Sequence, residues 1–231
     1  MKIIRNEKLI KRNAKIGQWT SLGALVVLGV GMYISFTRVD LFAYSIAALL
    51  VGFTLTQIGM YMGNRYGRRP RLDEKLDAGL KGLPGEFVMY HYTTPASHLL
   101  VGPAGIWVIM PYHQRGVVTY KKNRWRISGG GFLQAYMRIF GQEGLGRPDF
   151  EIAGEIEALR KYLAKHMDEA QIPEIRALMV FTSDNVEIEA EGAPLPAMKL
   201  KQIKDFFRQK AKEKPITPAQ LAAVKAALPS A

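Results

Sequence analysis

The sequence predicts an α/β protein in two parts: an N-terminal hairpin of two membrane-spanning helices, then a mixed sheet flanked by helices. Three observations predict it. Two uncharged apolar runs, residues 16–36 and 41–63, each hold 20 or more residues, and about 20 helical residues span a hydrocarbon core of roughly 30 Å. Only Thr37, Arg38, Val39 and Asp40 separate them. Beyond them, about 168 residues mix alternating β-type segments with helical periodicities, enough chain for one domain with its own core.

Lipid offers no partner for backbone N–H and C=O groups, so both runs should be helices, and neither contains proline. A four-residue connection returns the second helix beside the first, so both outer ends face one compartment. The segment before the first run (1–15) is a basic tail with Lys2, Arg5, Lys8, Lys11, Arg12 and Lys15 against Glu7 alone. The linker after the second (64–71) carries Arg65, Arg68, Arg69 and Arg71, expected at the membrane surface. Flanking positive charge marks the cytoplasmic side. Both termini are therefore expected in the cytoplasm, with 37–40 outside, as in a prokaryotic plasma (inner) membrane protein. A signal peptide fits the first run poorly: its apolar part is too long, and the second span would still anchor the chain. Buried helices of a soluble core rarely stay apolar on every face over this length.

Trp19, Tyr33, Tyr44, Tyr61 and Tyr66 lie near span ends, as an aromatic belt requires. Small residues punctuate both runs: Gly23, Gly29 and Gly31, then Ala43, Ala47, Ala48, Gly52, Gly59 and Gly63. They allow close helix contact, within the hairpin or, through Gly59 and Gly63, between copies in a homo-oligomer. No charge lies inside either run, so nothing suggests an ion path or proton relay. Gln18 and Gln57 read as packing contacts.

Net charge is +12 and there are no cysteines. The latter excludes disulfides and thiol chemistry and suits a cytosolic domain. Position beside the spans explains the basic tail and linker, each basic residue gaining about 1 kcal/mol from anionic headgroups. It does not explain Lys121, Lys122, Arg124 and Arg126, which lie farther on with Tyr120 and Trp125 interleaved. These four are the candidate nucleic-acid contacts.

In the domain, Leu72, Leu76 and Leu80 recur at helical spacing, and Gly82 can end that helix. Residues 86–93 alternate like a strand. Residues 98–101 and 106–110 flank a Gly-Pro-Ala-Gly turn and read as a hairpin; 117–121 and 124–127 flank a Lys-Asn turn and read as another. Four or five antiparallel strands are thus expected over 86–128. Residues 128–146 are glycine-rich, but their spacing matches no phosphate-binding fingerprint, so a loop or bulge is expected. Residues 148–167 read as a long helix, with Pro148 and Asp149 suited to its first turn. Residues 175–182 read as a buried strand, and 186–190 alternate. Residues 199–210 and 218–228 read as closing helices, Thr217 capping the second. This order gives an α/β three-layer or α+β sandwich.

Residues 97–116 (SHLLVGPAGIWVIMPYHQRG) resemble the core motif of the nuclease-related domain (NERD) family, which is similar to the restriction-endonuclease-like PD-(D/E)xK fold. The frame is present in Leu99–Gly102, in Gly105–Ile109 and in Gly116. Glu74 occupies the place of the family's helix glutamate. Arg147, Pro148, Asp149, Phe150 and Glu151 resemble the start of its long helix, and Val180, Phe181 and Thr182 a later strand. The resemblance covers residues 72–190, leaving 191–231 as C-terminal helices packed on that domain. It implies a restriction-endonuclease-like sheet and Mg²⁺-dependent nuclease chemistry with an Asp, a Glu and a Lys.

The chain carries Ser97, Met110 and Tyr112 at those three positions. Serine lacks the carboxylate, a thioether is a poor Mg²⁺ ligand, and a phenol cannot supply the ammonium. The domain is therefore expected to be a catalytically silent pseudoenzyme that needs no cofactor. His91, His98 and His113 offer imidazoles for zinc, but their spacing follows no ligand pattern. Ser97 and His98 are adjacent on a strand, so they point to opposite faces and form no nucleophile pair. Glu187, Glu189 and Glu191 read as a solvated strand face. The expected function is a membrane-anchored module binding a nucleic acid or a cytosolic protein. The alternative is an active membrane-bound nuclease in which Glu74, Glu86 or Glu151 supply relocated carboxylates. Transport would require an oligomer, since two spans without polar lining form no pore.

Overall fold

The computed structural model describes residues 1–129, 144–213 and 215–230. The chain divides into two compact units, Glu7–Arg71 and Met1–Asn6 together with Leu72–Ala231. The expected glycine-rich loop at 128–146 falls largely outside the described residues.

The first unit is the hairpin. Helix α1 spans Glu7–Thr37, a 3-10 turn covers Val39–Leu41, helix α2 spans Phe42–Met62, and a π-helical turn covers Gly63–Gly67. Both helices are long and apolar enough to cross a membrane. Their outer surfaces display Trp19, Leu25, Phe36, Leu49 and Leu50, while the residues buried along them include Gly17, Ala24, Gly31, Gly52 and Gly59. Small residues let the two backbones touch. A Cβ on Gly31 would lie 2.8 Å from Ala48 Cβ, and one on Gly59 would strike Ser21. Ser45 Oγ donates across the interface to the Gly31 carbonyl at 2.9 Å. Gly59 is thus used inside the hairpin, whereas Gly23 and Gly29 face open space.

The second unit is mixed α/β. Its strands and helices run β1 (Lys2–Arg5), α3 (Leu72–Leu80), β2 (Val88–His91), β3 (His98–Gly102), β4 (Gly105–Tyr112), β5 (Gly116–Lys121), β6 (Arg124–Ser128), α4 (Pro148–Ala164), β7 (Ile175–Phe181), β8 (Val186–Glu189), β9 (Ala197–Lys199), α5 (Ile203–Glu213) and α6 (Pro218–Ala227). The main sheet has the order β1-β2-β3-β4-β7-β9. Strands β2, β3 and β4 form the expected antiparallel meander; β1 joins β2, β7 joins β4 and β9 joins β7 in parallel. Strands β6, β5 and β8 form a separate sheet.

Side chains alternate across the main sheet and feed two cores. On one face Leu99, Val101, Val108, Met179 and Phe181 pack with Ile152, Leu159 and Leu163 of α4. On the other, Leu100, Trp107, Ile109, Leu178 and Val180 pack with Leu76 and Leu80 of α3 and with Ile203 and Phe207 of α5. Residues 191–231 supply α5 and α6 to these two cores and add β9 to the edge of the main sheet.

Two expectations need correction. The first 15 residues are not a free tail: residues 2–5 form a strand whose Ile4 is buried in the core, and helix α1 already starts at Glu7. The five strands of 86–128 form the expected antiparallel pairs, but in two sheets, and β5 also takes β8 as a parallel neighbour. Arg71 is not displayed at a membrane surface; it is 5% exposed and engaged in a polar interaction, as a buried guanidinium must be.

Candidate functional site

Two polar clusters flank the main sheet, on opposite faces. The alternation of β3 and β4 decides which residues join which. Ser97, just before β3, shares its face with Leu99 and Val101, toward α4. Met110 and Tyr112 of β4 lie on that same face, packed with the α4 core. The structure therefore brings Ser97, Met110 and Tyr112 to one face, with α4 above them.

Helix α4 is acidic at its start, with Asp149 and Glu151 in the first turn and Glu155 one turn on, where carboxylates favour the helix dipole. Glu155 accepts from Ser97 Oγ at 2.8 Å and from the Ser97 backbone N–H at 3.2 Å. Asp149 accepts from Trp125 Nε1 at 3.0 Å. Tyr112 is 7% exposed, stacks on Phe181 with ring centres 5.5 Å apart, and its hydroxyl has no hydrogen-bond partner among the described residues. Burial, then the charges of Glu151, Glu155 and Asp149, push its pKa well above the ordinary tyrosine value. Sequence reasoning missed Glu155, since only the helix-on-sheet packing sets it beside Ser97.

On the opposite face β2 presents His91 and β3 presents His98, registered partners. Their Nδ1 atoms are 2.8 Å apart, and His91 Nε2 lies 3.0 Å from Asp77 Oδ1 on α3. With Asp77 ionised, His91 Nε2–H donates to it, so a neutral His91 accepts at Nδ1 from His98 Nδ1–H. Arg5 of β1 completes the cluster, its Nε 3.0 Å from Asp73 Oδ2 and its guanidinium on Asp77. These groups lock β1 and α3 to the edge of the sheet. His113 is exposed. Glu74 belongs to α3, on the face away from Ser97 and Tyr112, and Glu86 is exposed. Among the described residues no group of three His, Cys, Asp or Glu side chains can hold a metal ion.

The basic segment forms the β5–β6 hairpin. Lys122 and Asn123 make its turn, with φ of 53° and 56°, a pair of left-handed residues that suits a two-residue hairpin. Register pairs Lys121 with Arg124 and Thr119 with Arg126, placing Lys121, Arg124 and Arg126 on one solvent face with Lys122 at the tip. Tyr120 pairs with Trp125 on the other face, their rings 5.2 Å apart. Trp125 is buried with its N–H engaged, so it is no platform for base stacking. Glu187 and Glu189 of β8 register with Val117 and Thr119 and lie on the same solvent face. Two strand spacings, about 10 Å, separate this acidic edge from the basic one.

The remaining basic candidates sit in the hairpin unit. Arg65 lies over the rings of Tyr61 and Tyr66, at 5.9 and 5.8 Å, while Arg68 and Arg69 are exposed.

No protein-family model, curated protein or solved structure matches this chain.

Proposed function

We propose that this chain is a membrane-anchored module whose α/β unit faces the cytoplasm of a prokaryotic cell and binds an anionic partner, a nucleic acid or an acidic protein surface. The carrying observation is the shared solvent face of Lys121, Arg124 and Arg126, extended by Lys122 at the turn. The resemblance to the nuclease-related family supports a nuclease-like frame without its chemistry. Ser97 is bound to Glu155, Met110 packs against the apolar core, and Tyr112 is a buried neutral phenol. None of these offers Mg²⁺ a carboxylate or phosphate an ammonium.

The patch is small and bounded by the acidic β8 edge, and residues 72–231 as a whole carry 21 Lys and Arg against 18 Asp and Glu. Four phosphate contacts would give a plot of log affinity against log salt a slope no steeper than about −4. The test is binding of DNA and RNA by the full-length protein across a salt series. Lys121→Glu, Lys122→Glu, Arg124→Glu and Arg126→Glu together should abolish binding and its salt dependence. Unchanged binding in that variant, or none by the natural chain at low salt, rejects the nucleic-acid partner.

One observation favours a second reading, a nuclease with relocated carboxylates: Glu155 reaches the Ser97 position, and Glu151 acts on Tyr112. Mg²⁺- or Mn²⁺-dependent cleavage that disappears in Glu155→Gln would establish it.

A further inference from the structure

The ends of the two helices away from their connecting turn leave a recess lined by glycines and polar side chains. Gly17 and Gly63 meet so closely there that a Cβ on Gly17 would stand 2.8 Å from the Gly63 nitrogen. Below them Gly59 touches Ser21. Helix α2 then widens into the π-helical turn Gly63–Gly67, closed by the Arg68 N–H donating to the Gly63 carbonyl at 2.8 Å. This turn carries Arg68 to the side of the hairpin where α1 presents Lys15 and Gln18. The result is an open groove of about 450 Å³, with Lys15, Gln18 and Ser21 on one wall and Gly59, Gly63 and Arg68 on the other.

Among the described residues no acidic side chain pairs with its charge. Within Glu7–Arg71 the only acidic residues are Glu7 and Asp40. Asp40 is next to Arg38, at 3.7 Å, in the connection between the spans. Glu7 lies about 12 Å along the helix from Lys15, eight residues at 1.5 Å each. Lys15 and Arg68 are exposed and make no ion pair among the described residues. Arg65, one turn away, is occupied by its tyrosines.

Depth identifies the ligand. Lys15 immediately precedes the apolar run, and Trp19, one turn farther in, is exposed as an interfacial residue is. From the groove an apolar stripe of Leu22, Leu25 and Val26 continues along α1. A polar, positively charged recess at headgroup level that opens onto an exposed apolar stripe fits one phosphate with acyl chains below it. An arginine fork grips phosphate oxygens in two bonds, an ammonium adds a point charge, and the Gln18 amide supplies a neutral donor.

We infer that this groove is a binding site for the phosphate of one anionic phospholipid, held by Lys15, Arg68 and Gln18. The inference rests on the reading of α1 and α2 as membrane spans. Two such cations near the membrane surface should favour an anionic over a zwitterionic lipid about tenfold or more.

The test uses the full chain in nanodiscs of phosphatidylcholine with and without phosphatidylglycerol, followed by release into mild detergent and native mass spectrometry of retained lipid. The expected result is one retained phosphatidylglycerol in the natural protein and in Lys8→Gln/Lys11→Gln, which removes equal charge outside the groove. Lys15→Gln/Arg68→Gln should lose the enrichment. Equal retention in that variant, or no preference for phosphatidylglycerol over phosphatidylcholine, overturns the inference. Inorganic phosphate that displaces the retained lipid at millimolar concentration would assign the groove to free phosphate instead. Alkaline carbonate extraction separates the two levels: a chain released from membranes rejects the spans themselves, while an integral chain without lipid preference rejects only this site.

Discussion

Asp73 is fully buried and faces Arg5, which keeps 20% of its side chain exposed. Removing the cation takes one charge partner from a buried carboxylate, and breaking such a buried pair costs roughly 3–5 kcal/mol. Because Arg5 is partly solvated, Arg5→Ala should cost about 3 kcal/mol, the low end of that range. Denaturant unfolding of the detergent-solubilised protein would measure it, with faster amide exchange at Ile3 and Ile4 as β1 frays. Tyr112 makes an opposite prediction. Its hydroxyl is buried without a partner, and such a group costs about 1–3 kcal/mol, so Tyr112→Phe should leave stability unchanged or raise it by about 1 kcal/mol. The phenol also gives an alkaline signature. The folded pKa lies above the unfolded value of 10.0, so above that pH the unfolded chain binds fewer protons than the native one. Stability therefore falls as pH rises beyond 10.0, and not below it. Tyr112→Phe should flatten that fall in a pH series of unfolding curves.

Among the elements, the span hairpin depends on small residues at its crossing and not elsewhere. Gly59→Val would drive a side chain into Ser21, while Gly23→Val enters open space. Gly59→Val should lower the thermal midpoint in detergent markedly, and Gly23→Val should leave it nearly unchanged. A drop at Gly23 instead would mean that α1 packs against something outside its own hairpin. The β5–β6 hairpin shows what element-level reading achieved and missed. The Lys-Asn turn and the basic residues were legible, because a two-residue turn between alternating runs is a local signal. The acidic neighbour was not, since β8 reaches β5 only through a parallel pairing across distant sequence. That pairing changes the chemistry of the face, setting Glu189 across Thr119 from Arg126.

At the scale of the whole molecule, the hairpin unit holds nine Lys and Arg against two Asp and Glu, so most of the net charge belongs to the unit of the two long apolar helices. If the flanks are cytoplasmic, single cysteines introduced into this cysteine-free chain report it directly. Asp40→Cys should react with an impermeant thiol reagent added to intact cells. Ser230→Cys should react only after permeabilisation. The reverse pattern would invert the proposed orientation and place the α/β unit outside.

The sequence by itself determined the two long apolar helices, the long helix opening at Pro148, the capped helix after Thr217 and the buried strand β7. Each is written in a local signal: sustained hydropathy, a helical period, a cap, a short β-rich run. It also determined that Ser97, Met110 and Tyr112 lack the groups a metal nuclease needs, because that is a matter of side-chain chemistry. Tertiary structure alone decided that residues 2–5 leave the basic tail to pair with β2, that Glu155 stands against Ser97, and that Arg71 is buried. It also decided that Lys15 and Arg68 meet at one groove. Those outcomes join residues far apart in the chain, and their energy comes from burial and pairing that no window of sequence contains.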